Sequence, residues 1–225
     1  MLETKIGFGD VGYYNVAGPI ILAGTVIPTR EDEIMQYLTK LGLIKHVKRM
    51  YLGRLPSLKH INEIMTIVEH FIYQKLIITK IKYIHAKDVD KSSPKNILEK
   101  TMKNIINEFE TEYNIICDPV CFKDRKIKIN NKFIPHIPCI QTYTSFAKAY
   151  FEHQKAMRIL HNKYPMYKWN KNYGRPSKEH NELIKKYGFT EYHKKYRVFY
   201  KSRQFVKEVE NGSESRTGNG FAEKN

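Results

Sequence analysis

The 225-residue sequence is poor in acidic residues, with 23 Asp and Glu against 39 Lys and Arg and a formal charge of +16. That balance disfavours basic partners and any reading as an acidic solvating tail. Cysteine is equally scarce. Cys117, Cys121 and Cys139 are an odd number without paired spacing, which argues against a disulfide-stapled scaffold. Zinc would need a fourth ligand, which only His136 and His153 loosely offer, so reduced structural thiols are expected. Twelve glycines and nine prolines are too few for a fibrous or low-complexity chain, and no internal repeat stands out. No apolar run approaches the length of a membrane span. Met1–Lys5 leads into a strand pattern without a secretory signal, so a cytoplasmic protein with no membrane partner is expected.

What the chain does contain is apolar and aromatic mass on a basic background. At 41% hydrophobic residues it can bury the core of one domain with a small appendage. The net charge favours a polyanion, because each neutralised phosphate releases condensed counterions. Sixteen tyrosines and eleven phenylalanines supply faces on which bases or sugars stack. An AT-rich coding sequence would also yield much Lys, Ile and Asn, but charge and aromatics together point to nucleic acid.

Along the chain, residues 6–8 and 20–27 read as strands, with Pro28 closing the second. A helix opens near Thr29 with acidic residues in its first turn, Ile34, Leu38 and Leu41 on one face, and Gly42 at its end. Ser57 caps a helix carrying Ile61, Met65, Val68 and Ile72 at helical spacing. Residues 76–84 are β-branched and read as a strand. Ser93-Pro94 starts a helix with Ile97, Leu98, Met102, Ile105 and Phe109 toward a core. A short strand at 113–117 ends in Asp118-Pro119, and residues 123–134 read as a basic hairpin around Asn130-Asn131. Helices follow over 144–160 and 177–187, the latter ended by Gly188. Early strands, middle alternation and late helices indicate an α/β layer fold.

Asp10 and Asp118 terminate strand patterns, and Glu152 sits on a helix. Mg²⁺ prefers oxygen ligands, and a pair of such ions can activate water against a phosphodiester. From spacing alone, Glu152 can equally pair with Lys148 one turn earlier, and Asp118 can simply open a turn.

The order of the motifs resembles the ribonuclease HII (type 2 ribonuclease H) family. Gly7-Phe8-Gly9-Asp10-Val11-Gly12-Tyr13-Tyr14 is similar to its opening G-x-D-E-x-G-R-G. Ala17-Gly18-Pro19 falls where a glycine-containing second strand begins. Asp90 with Asn96-Ile97-Leu98 resembles I-D-x-x-N-I-L, and 115–118 resembles the strand ending I-D-G. Thr144-Ser145-Phe146-Ala147-Lys148 with Glu152 resembles A-S-I-x-A-K-x-x-R-D. Tyr164-Pro165-x-Tyr167, Lys171-Asn172-Tyr173-Gly174, His180, Gly188 and His193-Lys194-Lys195 follow the terminal pattern Y-P-x-Y, K-G-Y-G, H, G, H-R-R. Residues 29–74 match poorly.

The resemblance implies a ribonuclease H-like mixed central sheet flanked by helices, with a helical C-terminal extension. A catalytic-type domain over 1–160, a substrate-contact region over 161–207 and a disordered tail over 208–225 are expected. The family's four carboxylates fall at Gly9, Asp10, Asp118 and Glu152, so the first is absent and two are exchanged between Asp and Glu. If the chain is catalytic, the implied reaction is phosphodiester hydrolysis of RNA/DNA hybrid or ribonucleotide-containing duplex. Asp10, Asp118 and Glu152 would hold Mg²⁺ or Mn²⁺, in a weakened or single-ion site, and Lys148 would contact phosphate or a metal carboxylate. The alternative is a binding or scaffold protein that keeps the basic surface without turnover, which leaves room for a protein partner. A third reading remodels the metal site around Asp124.

The resemblance places Gly12, Tyr13 and Tyr14 at the reader of the ribose 2′-hydroxyl, and Tyr173 on the neighbouring sugar. Tyr13 and Tyr14 read equally as a stacking platform or as aromatic cover. Lys171, Arg175, His193, Lys194, Lys195 and Arg197 are expected to form a phosphate-binding surface. His153 reads as a solvent-exposed helix histidine, with protonation of a leaving group as the functional alternative.

Overall fold

The computed structural model describes residues 5–28, 31–43, 45–46, 58–109, 115–117, 128–129, 132–133 and 139–195. Four strands form the central sheet: β1 (Lys5–Val11), β2 (Ile20–Val26), β3 (Ile78–Ile84) and β4 (Ile115–Cys117). Their order is β3-β2-β1-β4, with β4 parallel to β1 and the other pairs antiparallel. A small hairpin, β5 (Lys128–Ile129) and β6 (Lys132–Phe133), stands where the basic hairpin is expected. The helices are α1 (Glu31–Lys40), α2 (Leu58–Tyr73), α3 (Ala86–Lys91), α4 (Pro94–Asn107), α5 (Ile140–Lys163), α6 (Trp169–Asn172) and α7 (Lys178–Tyr187). No helix among the described residues is long and apolar enough to cross a membrane.

The two faces of the sheet carry different cores. On one, Ile6, Phe8, Leu22 and Val26 pack against Leu98, Met102, Ile105 and Ile106 of α4. Each fully buried aliphatic side chain there contributes about 2 kcal/mol. Helix α4 starts as its sequence indicates, with the Ser93 hydroxyl accepting from the Asn96 amide at 3.1 Å and Pro94 in the first turn.

On the other face lies α5, and the fit is unusually close. Gln141, Ser145, Ala149, His153 and Met157 recur every four residues and run as a ridge along the sheet. An ideal Cβ on Gly7 would lie 2.4 Å from the Thr142 nitrogen, and one on Gly9 would lie 2.1 Å from the Phe146 nitrogen. The Ser145 hydroxyl reaches through this gap to donate to the Gly7 carbonyl at 2.7 Å. It also shares a hydrogen bond with Thr25, which in turn pairs with Thr79. Two strand residues advance about 6.7 Å and four helical residues about 6 Å, so Gly7 and Gly9 seat successive steps of one ridge.

Two expectations about element ends are corrected. Helix α5 begins four residues before Thr144, because the Thr142 hydroxyl caps the Cys139 amide at 3.1 Å, a role the sequence around Cys139 does not advertise. Leu41 is exposed rather than on the buried face of α1. The chain turns at Gly42 with bonds from Gly42 N–H to Thr39 and from Leu43 N–H to Leu38, and Leu43 takes the buried place. The caps expected at Ser177 and Gly188 are present around α7.

Candidate nucleic-acid interface and carboxylate site

The carboxylates do not assemble as the resemblance implies. Strand alternation places Asp10 on the face of Ile6 and Phe8, toward α4, where it is buried. Glu152 projects from α5, on the opposite side of β1. Asp118 and Asp124 lie outside the described residues, as does Arg197. Among the described residues no group of three His, Cys, Asp or Glu side chains is placed to hold a metal ion.

Glu152 is already committed to cations. Lys148 stands 3.2 Å from its carboxylate and Lys155 stands 3.7 Å from it, and the Tyr83 hydroxyl of β3 donates to it at 2.9 Å. Lys148 also meets Glu69 of α2 at 3.0 Å. Lys148 therefore pairs with carboxylates and does not stand ready for a phosphate. Burial pushes the Glu152 carboxyl up, but Tyr83, Lys148 and Lys155 outweigh it and hold the group below the usual carboxylate value. Burial, with Glu152 beside it, pushes the Tyr83 phenol up to about 12. Two ammonium groups and a phenol thus stabilise the charge that a divalent ion would otherwise neutralise. The described residues do not fit a two-ion centre: Gly9 brings no carboxylate, Asp10 faces away, and Glu152 is neutralised from within.

The opening and terminal motifs, by contrast, do come together. The loop after β1 is bounded by Gly12, where a Cβ would lie 2.4 Å from the Pro19 carbonyl. Tyr13 and Tyr14 are half-buried, edge to face at 4.8 Å between ring centroids. Asn15 then ties this loop to two other elements. Its side-chain amide donates to the Tyr173 carbonyl at 2.8 Å and meets His153 Nε2 at 3.2 Å. The amides of Val16 and Ala17 donate to the Gly174 carbonyl, and that of Gly18 donates to Tyr192. The loop carrying Tyr13 and Tyr14 and the backbone of Tyr173 thus meet through Asn15. Lys171 and Arg175, which flank Tyr173 in sequence, and Lys195 are exposed. The Lys195 amide donates to Asp90 at 3.2 Å, and its ammonium lies over the Phe189 ring.

Three expected surface residues are interior. His153 is buried, not solvent-exposed, because it is the fourth step of the ridge and meets the Gly12 turn. Burial, then Lys194 and Arg175 nearby, push its imidazole down to about 3. His193 is buried among Tyr167, Trp169 and His180, and accepts from the Thr190 amide at 2.9 Å. Burial and then His180 push it down to about 3 as well. Lys194 is fully buried and donates to the Gly12 carbonyl at 2.6 Å and the Asn15 carbonyl at 3.3 Å. None of the three can contribute to a phosphate-binding face. Basic residue type carried no information about burial here.

The site also includes residues that sequence reasoning passed over. Asn15 lies between two recognised motifs, and Tyr83 and Glu69 reach Glu152 and Lys148 only through the tertiary fold. Tyr83 had one usable signal, a polar aromatic within a β-branched strand, in register with Ile21 on the face that α5 covers.

Comparison with known proteins agrees with this architecture. Over 201 residues the chain is 26% identical to ribonuclease HII of Christiangramia forsetii, an alignment covering 85% of this chain and 89% of that protein. The ribonuclease H2 of Pyrococcus horikoshii matches the fold with a TM-score of 0.63 at 14% identity, covering 92% of this chain and 99% of that one. A Bst ribonuclease HIII solved in complex with Mn²⁺ matches at a TM-score of 0.53 and 13% identity, covering 90% and 71%. No family model matches the sequence.

Proposed function

Taking the chain as a divergent relative of ribonuclease HII with the type 2 ribonuclease H fold, we propose that it binds RNA/DNA hybrid or ribonucleotide-containing duplex without the turnover of a two-metal nuclease. One observation carries this reading: the backbone of α5 fills the space at Gly9 where the family's first carboxylate would project. Hydrolysis through paired ions needs negative charge between them, and here Glu152 is held by Lys148 and Lys155. Binding makes no such demand. The basic charge and the clustered Tyr13, Tyr14 and Tyr173 support contact with a sugar-phosphate backbone. Lys171, Arg175 and Lys195 supply phosphate partners around them.

Fluorescence anisotropy with labelled hybrid across a salt series tests this. Saturable binding is expected to weaken steeply with salt. Substituting Lys171, Arg175 and Lys195 by Met one at a time should lower the log–log slope by up to about 0.9 each. Absence of saturable binding at low salt would overturn the reading, as would a slope indifferent to all three substitutions.

Lys148→Met provides a second test, aimed at the carboxylate. With its principal ion pair removed, Glu152 should titrate closer to an ordinary carboxylate, and thermal stability should fall by about 1 kcal/mol. NMR titration of the Glu152 side chain reads the direction. An unchanged midpoint would show that Lys148 does not hold the charge.

A further inference from the structure

We infer that Lys194 is a positioning residue, a buried cation that fixes the Gly12–Asn15 loop from inside and so sets Tyr13, Tyr14 and Tyr173 for the duplex. The inference rests on the duplex-binding reading above. Its basis is the geometry around one ammonium group. Lys194 is fully buried, so it cannot touch a phosphate on the surface. It carries three N–H donors, and two carbonyls of the same loop accept from it, Gly12 at 2.6 Å and Asn15 at 3.3 Å. These are the first and last residues of the turn that carries Tyr13 and Tyr14, and the Asn15 amide bonds to the Gly12 carbonyl across it at 3.1 Å.

The lysine is itself held rigidly. Its own amide donates to the Val16 carbonyl at 2.8 Å, and its neighbour His193 bridges to Ala17. The last described segment of the chain therefore clamps the first loop at both backbone and side chain. Asn15 passes the constraint on, since the same residue that receives Lys194 at its carbonyl donates from its side chain to the Tyr173 carbonyl. One buried ammonium thus anchors the loop that carries Tyr13 and Tyr14 and, through Asn15, the backbone of Tyr173. A charge-assisted hydrogen bond to a carbonyl is about twice as strong as a neutral one, so a neutral side chain of similar size would leave the loop loosely held. His153, close enough for Lys194 to depress its titration, meets Asn15 from the other side. Together they form a polar seat beneath the aromatic surface.

Lys194→Met, Lys194→Arg and Asn15→Ala, examined in the full chain, test the inference. In the free protein, amide exchange at residues 13–16 should quicken at least tenfold in Lys194→Met, with α4 and β2 amides keeping their protection. Hybrid affinity should fall about tenfold with the salt slope unchanged, because no phosphate contact is lost. Lys194→Arg should recover part of both, and Asn15→Ala should show the same signature at smaller size. Should Lys194→Met fail to fold, the Arg and Asn15 variants carry the same readouts. A slope lowered by about 0.9 with loop exchange unchanged would overturn the inference in favour of direct phosphate contact. Wild-type affinity in a variant whose loop exchanges faster would overturn it too. Failure of the wild-type protein itself to bind hybrid would overturn the duplex reading, and is told apart because loop exchange is measured without nucleic acid.

Discussion

Gly9→Asp is expected to destabilise the protein by about 3 kcal/mol or more and to leave it without restored hydrolysis. Restoring the family's carboxylate looks like a repair when only the sequence is considered. The structure makes it an overpacking substitution, because the first new atom would stand 2.1 Å from the Phe146 nitrogen and 2.4 Å from the Ser145 carbonyl carbon. These are backbone atoms in the middle of a helix, so no rotamer change relieves the clash. Helix α5 must lift from the sheet, which would stretch the Ser145 bond to the Gly7 carbonyl and open the contacts of the whole ridge. Gly9→Ala should cost nearly as much, since the conflict is with Cβ and not with charge. Urea denaturation of both variants beside the wild type gives the answer. Either variant within 0.5 kcal/mol of wild type would mean that α5 does not rest on β1 as described.

The second large effect is a loss of stability in mild acid. His153 and His193 are buried neutral, each pushed from 6.5 down to about 3. The unfolded chain takes up these two protons as pH falls through 6.5, and the folded chain does not until near 3. Protons are bound preferentially by the unfolded state across that window, so stability falls with pH there and is fully present above it. At pH 5 the two groups together cost about 4 kcal/mol relative to pH 7.5, a large share of a typical domain's stability. Protonating His153 would also set a second cation beside Lys194. His180 is lowered by burial in the same sense, against its bond to the Arg175 carbonyl. Denaturation midpoints at pH 7.5 and pH 5 check the prediction, and a difference below 1 kcal/mol would contradict it.

Much of the fold was legible because its signals are local. Ser93-Pro94, Ser177 and Gly188 mark helix ends through caps that depend on three or four consecutive residues. The β-branched strands and the pairing of β5 with β6 are read in the same way. The ordered motifs placed Gly12, Tyr13, Tyr14 and Tyr173 together, although 159 positions separate Asn172's neighbour Tyr173 from Tyr14 along the chain. What was not legible depends on packing. Gly9 reads in sequence as a missing ligand, and only the approach of α5 shows that a side chain there is excluded. His153, His193 and Lys194 have surface-type side chains, and their burial follows from a ridge of four-residue period, from the ring cluster of Tyr167, Trp169 and His180, and from the Gly12–Asn15 loop, respectively. Glu152 was recognised, but the cations that occupy it come partly from β3 and α2, through contacts of long sequence separation.

Single-turnover incubation of excess protein with end-labelled RNA/DNA hybrid in Mn²⁺, alongside Asp118→Asn, separates binding from turnover. Hybrid is expected to be bound and to remain intact, with wild type and variant indistinguishable. Metal-dependent cleavage by the wild type that is lost in Asp118→Asn would contradict it.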